Sequence, residues 1–146
     1  MKTKKTALRI TGIPYAIQAE RNQQLDQRLA NRHNAISIPL LVPSLNVLLR
    51  MHWAKRRQLK QTWAWAFAAA QPKLVGSPFR HVMIHSQRPR LLDYDNLCGG
   101  CKECVVDNLK DFGWIADDSP DAVTIWYYQN QGKDPLTVIA FDGGST

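Results

Sequence analysis

Asp93-Tyr94-Asp95-Asn96-Leu97 is the stretch on which the reading of this chain turns. It follows an apolar run, Phe79 to Ser86, that reads as a strand, and it precedes Cys101 to Phe112, whose apolar residues recur at helical spacing. It therefore marks a strand-to-helix junction. Two residues apart in extended chain, Asp93 and Asp95 would point to the same side and could share one cation. A second acidic pair, Asp117-Asp118, comes after the helix, where the chain can return to the first. Between Asp93 and Asp121 lie eight of the twelve acidic residues, although the net charge is +7. Such gathering fits a hard divalent cation, and Mg²⁺ often takes one or two carboxylates and completes its shell with water and phosphate oxygen.

The other half of the chain has the opposite character. Residues 1–60 carry twelve Lys or Arg against two acids, and residues 61–146 carry seven against ten. This asymmetry suggests a nucleic-acid partner. The densest run is Arg50-Met51-His52-Trp53-Ala54-Lys55-Arg56-Arg57-Gln58-Leu59-Lys60. Its cations can neutralise phosphates, and Trp53, Trp63 and Trp65 can stack on exposed bases. A solvated helix face with core tryptophans is the competing reading of the same run.

At 146 residues and 45% apolar content, the chain suits one domain with its own core. No apolar run approaches the length of a membrane span, and Met1-Lys2-Thr3-Lys4-Lys5 is not followed by an apolar leader. The expectation is a soluble cytoplasmic protein without a membrane partner. Cys98, Cys101 and Cys104 are odd in number and too close for a disulfide framework, in keeping with a reducing compartment.

Residues 1–35 read as an N-terminal extension, with Ile17 to Asn34 polar and weakly periodic, and residues 36–146 as the folded domain. Ile36 to Val42 predicts a strand ending at Pro43. Ser44 is a candidate N-cap for a helix, broken once, that continues to Gln71-Pro72. Gly99-Gly100 predicts a loop over Asn96 to Gly100, because two glycines disfavour a helix. Cys101 to Phe112 then forms a helix stopped by Gly113, its buried side formed by Cys101, Cys104, Val105, Leu109 and Phe112. Val123 to Gln129 and Leu136 to Phe141 read as strands joined by the Gly132 turn. The expected class is α+β, a small mixed β-sheet with helices mainly on one face.

Lys102 falls in the first turn of the expected helix, between the two acidic groups, where free N–H groups favour an anion. The motif Asp93-Tyr94-Asp95-Asn96-Leu97, with Gly99-Gly100-Cys101-Lys102, Asp107-Asn108-Leu109, Gly113 and Asp117-Asp118-Ser119-Pro120, resembles the RusA family of Holliday-junction resolvases, phage-type members especially. Upstream, Pro43-Ser44-Leu45-Asn46-Val47-Leu48-Leu49-Arg50-Met51-His52-Trp53 is similar to that family's N-terminal motif. The resemblance covers roughly residues 36–141. Five steps separate Lys102 from Asp107, one more than the family spacing.

The resemblance implies a RusA-like fold and a homodimeric endodeoxyribonuclease that needs Mg²⁺, with Mn²⁺ as substitute. Its substrate would be branched DNA, four-way junctions above all, cut by paired nicks in recombination and repair. The family's metal ligands fall on Asp93, Asp95 and Asp118, with Asp117 as a further candidate, and its catalytic lysine on Lys102. Candidate DNA contacts are Asn46, Arg50, His52, Trp53, Lys55, Arg56, Arg57 and Lys60. Crowded carboxylates repel, so at least one is expected to have a raised pKa without metal.

Two alternatives stand beside this reading. One is a DNA-binding accessory protein without catalysis. The other is a zinc module in which Cys98, Cys101 and Cys104 join His81 or His85.

Overall fold

The computed structural model describes residues 35–70 and 78–142. The expected extension, residues 1–35, lies outside the described residues except for Ala35. In chain order the elements are β1 (Ala35–Ile38), α1 (Leu45–Arg50), α2 (Trp53–Ala70), β2 (His81–Arg88), α3 (Tyr94–Cys101), a π-helical turn (Lys102–Val106), α4 (Asp107–Asp111), β3 (Thr124–Gln131) and β4 (Leu136–Asp142). The class is α+β, as expected. Among the described residues no helix is long and apolar enough to cross a membrane.

The sheet has the order β1-β4-β2-β3. β4 runs antiparallel to both β1 and β2, whereas β2 and β3 are parallel, with His81 opposite Thr124 and Arg88 opposite Gln131. This corrects the expected hairpin. β3 and β4 are consecutive in sequence but flank β2, and their connection passes over the end of that strand. There the Gly132 N–H donates to Arg88 O (2.9 Å) and Gln87 Nε2 to Asp134 O (2.8 Å). The physical reason lies in β2, where Val82, Met83 and Ile84 are all buried. A strand apolar on both faces takes a central position.

Alternation along the strands divides two clusters. Ile36, Ile38, Val82, Ile84, Ile139 and Phe141 face the main core, while Met83, Tyr128 and Ala140 form a smaller cluster on the other face. The helices supply the main core with Trp63, Phe67, Leu97, Cys101, Cys104, Val105 and Leu109. Aromatic contacts tie it together: Phe67 lies 5.7 Å from Trp114, and Phe79 lies 4.9 Å from Phe141.

Ser44 caps α1, its Oγ accepting from the Val47 N–H, and the helix breaks at Met51-His52. The new start at Trp53 is capped by His52, whose Nδ1 accepts from the Ala54 N–H at 3.2 Å.

No loop separates Asn96 from Gly100. Helix runs without interruption from Tyr94 to Asp111, and Asp93 is its N-cap. The paired glycines serve close packing rather than a turn. A Cβ on Gly100 would sit 1.8 Å from Pro43 O, and one on Gly99 would sit 2.7 Å from Leu45 Cβ. Only glycine lets the entry to α1 lie directly on α3. Gly113, at φ 77°, ends the helix as expected.

Candidate metal and DNA site

Two features of the sequence geometry need correction. Asp93 and Asp95 do not share an extended segment: Asp93, the N-cap of α3, has extended backbone, but Asp95 is already in the first helical turn. Lys102 is not at a helix N-terminus, because the helix begins eight residues earlier, at Tyr94. An anion at Lys102 would therefore meet its ammonium but not free helix N–H groups.

The second acidic group does return to this helix. Lys102 Nζ lies 3.1 Å from Asp118 Oδ2, and Lys110 Nζ lies 3.7 Å from Asp117 Oδ1. The hydrogen bond from Lys102 and its charge hold the Asp118 carboxyl below the ordinary carboxylate range. A raised value from crowded acids is thus not what Asp118 shows. Asp107 is raised, chiefly by burial and despite Lys60, Lys102 and Lys110 nearby.

The five steps between Lys102 and Asp107 are spanned by the π-helical turn, in which the Asp107 N–H donates to Lys102 O. A π turn holds one residue more than an α turn, so the pair stays on facing positions across the turn. The charge of each is felt at the other.

Tyr94 and Tyr127, each within electrostatic reach of one acidic group, were missed by sequence reasoning, although Tyr94 stands inside the quoted motif. Their rings meet edge to face at 6.3 Å. Burial pushes Tyr94 up to about 12, helped by its hydrogen bond with Cys98 and by Asp95. Burial also raises Tyr127, with smaller contributions from the nearby thiols, Tyr94 and Asp118. Both phenols are therefore neutral at physiological pH, and one tyrosine pair feels charge from both acidic groups. Among the described residues no group of three or more His, Cys, Asp or Glu side chains is gathered to hold a metal ion. Asp93 and Asp95 are exposed and form no ion pair with a described cation.

Among the described residues the three thiols do not gather with a histidine into a metal-binding group. Cys101 and Cys104 pack in the main core, Cys104 raised by burial to about 12, while Cys98 is half-buried beside Tyr94. His81 is exposed, and His85 Nε2 is engaged with Asn130 Oδ1.

The basic run is divided by the fold. Arg56 is occupied: its Nε and Nη2 reach Glu103 Oε2 and Oε1 at 2.6 and 2.5 Å. This fork-to-fork pair fastens α2 to the π-helical turn, so the guanidinium is not free for phosphate. Arg57 instead lies over the Trp53 ring, 4.7 Å from its centroid. Arg50, Lys55 and Lys60 are exposed, and Lys60 shares a groove of about 470 Å³ with Arg57, Asp107, Lys110 and Asp111. The tryptophans separate: Trp63 is fully buried, whereas Trp53 and Trp65 are 64% and 66% exposed. Asn46 is exposed in α1, and its N–H donates to Asn96 Oδ1 at 3.1 Å. That bond joins the two motif segments, fifty residues apart in sequence.

No family model matches this chain, and no curated protein and no solved structure matches it.

Proposed function

We propose that the protein is a Mg²⁺-dependent endonuclease that cuts branched DNA, four-way junctions in particular, as a homodimer. The observation that carries this reading is the packing of the Pro43 to Trp53 segment on α3. Gly99 and Gly100 lie under Pro43 and Leu45, and Asn96 holds Asn46, so α1, which leads into the basic and aromatic run, packs on the helix that bears Asp95. Binding and cutting would then share one surface.

Mg²⁺ suits a pair of exposed carboxylates for which no ammonium of the described residues competes, since it retains water and takes phosphate oxygen for its remaining positions. Asp93 and Asp95 would hold it, with Asp118 joining once released from Lys102. The bound ion would supply Lewis acidity toward the phosphodiester and its attacking water. Lys102, freed in the same exchange, would face the negative charge that develops on phosphorus-bound oxygen. A C₂ dimer would present two such sites to a junction of approximate two-fold symmetry.

The pairing of Asp117 and Asp118 with lysines also suits a protein that binds junctions without cutting them. One experiment separates the two. A labelled mobile four-way junction is incubated with the protein, with and without Mg²⁺, beside Asp118→Asn. Paired nicks that need Mg²⁺ and vanish in the variant, with binding retained, are the expected result. Junction binding without nicks in Mg²⁺ or Mn²⁺ leaves only the binding role.

A further inference from the structure

A cavity of about 470 Å³ opens beside α1, with walls that include Leu41, Pro43, Val47 and Leu92 and with Arg88 and Arg90 in its lining. Arg88 is only 5% exposed, and among the described residues no carboxylate pairs with it. Its Nη1 donates to Val42 O (2.8 Å) and Ser86 Oγ (3.3 Å), and its Nε donates to Arg90 O (2.8 Å). Nη2 has no hydrogen-bond partner among the described residues, which leaves two donors for a ligand. A buried guanidinium without an anion is costly, and burial lowers its pKa accordingly. The wall is also rigid: Gln129 bonds both the N–H and the carbonyl of Leu92, at 2.9 and 2.7 Å.

The chemistry of this cavity calls for an anion with an apolar, flat or compact body. Its position selects the source. Leu92, in the cavity wall, is followed directly by Asp93, so the cavity adjoins the residues proposed to hold the ion that acts on a phosphodiester strand.

We propose that the cavity receives one unstacked nucleotide of the branched DNA, its base between Leu41, Val47 and Leu92 and its phosphate at Arg88 and Arg90. This rests on the nuclease reading and deepens it, because unpaired or strained nucleotides at a branch point are the ones whose bases leave the stack at least cost. Arg88 sets the field of the cavity, and the apolar walls take the base without reading its sequence strongly.

The test measures binding to four-way junctions without divalent cation, so cleavage plays no part. Junctions carry an abasic residue at each nucleotide flanking the exchange point in turn. The protein is expected to lose about tenfold in affinity for at least one abasic position, from apolar contact withdrawn from the walls. Val47→Glu, which places a carboxylate in the cavity, is expected to bind the intact junction about tenfold more weakly and to respond to no abasic position. Leu49→Glu adds the same charge to α1 outside the cavity and is expected to keep the full abasic response. Equal affinity for intact and abasic junctions, or a response retained in Val47→Glu, overturns the cavity assignment while leaving the nuclease reading intact. Failure to bind any junction overturns both.

Discussion

The two long helical stretches of this protein make a useful contrast. α2 touches the main core deeply through only two fully buried side chains, Trp63 and Phe67, and turns Trp53, Trp65, Lys55 and Arg57 to solvent. The stretch from Tyr94 to Asp111 buries Leu97, Gly100, Cys101, Cys104, Val105, Val106, Asn108 and Leu109, yet its rim holds Asp95, Lys102 and Lys110. The first is an exposed platform fastened by a few anchors, and the second is a core helix with charged groups on its margin. Substitutions should therefore separate cleanly: binding on one helix, turnover on the other, stability wherever a side chain is buried.

The strongest test falls on the core helix. Asp95→Asn is expected to reduce junction cleavage by about a thousandfold or more with binding largely unchanged, because one carboxylate is lost from the proposed ion site. Near-normal cleavage in Mg²⁺ would remove Asp95 from that site.

The tryptophans on α2 sharpen the contrast within one helix. Trp63→Ala should cost about 3–5 kcal/mol, measured by denaturant unfolding, whereas Trp65→Ala should stay within about 0.5 kcal/mol. A large loss at Trp65 would mean that this face is covered.

Lys102 and Lys110 provide the next comparison, since each pairs with one member of Asp117-Asp118. Single-turnover cleavage should fall by about two to three orders of magnitude in Lys102→Ala and by less than about threefold in Lys110→Ala. The reverse pattern would show that Lys110 carries the role.

On the platform, Lys55→Ala with Arg57→Ala should lower the salt slope of junction binding by up to about two units. Arg56→Ala should leave that slope unchanged, because Glu103 holds its guanidinium. A slope that follows Arg56 instead would mean that the pair opens on binding.

The smallest effect concerns acid stability. Arg56 holds Glu103 below its ordinary pKa, its hydrogen bond outweighing the effect of burial. A depressed carboxyl pKa stabilises the folded state above the unfolded value, about 4.3 for glutamate, and that contribution fades as pH falls through the folded value. Melting curves from pH 6 downward should show the wild type losing stability below about pH 4 more steeply than Glu103→Gln, whose amide does not titrate. Parallel curves would show that the pair adds nothing.

Much of this architecture was legible in the linear chain. Strand periods, the Ser44 cap, the stop at Gly113 and the apolar side of the second helix follow from local rules, because each depends on residues a few positions apart. Two features that the linear chain hides involve partners distant in sequence. Gly99-Gly100 looks like a loop until Pro43 and Leu45 press against it. Arg56 looks like a phosphate contact until Glu103, 47 residues on, accepts its fork. Trp63 and Trp65 are two residues apart with identical chemistry, yet helical geometry sends one into the core and the other to solvent.

By itself the sequence determined the charge division between its halves, most of the element types, and the presence of two acidic groups with a helix and a lysine between them in the chain. Only the tertiary structure decided that β2 lies between β3 and β4, that Asp118 pairs with Lys102, and that Tyr94 meets Tyr127. The reason is physical. Local propensity and periodicity act within a few residues, whereas strand order and side-chain pairing are set by which distant apolar faces bury each other and which charges that burial leaves side by side.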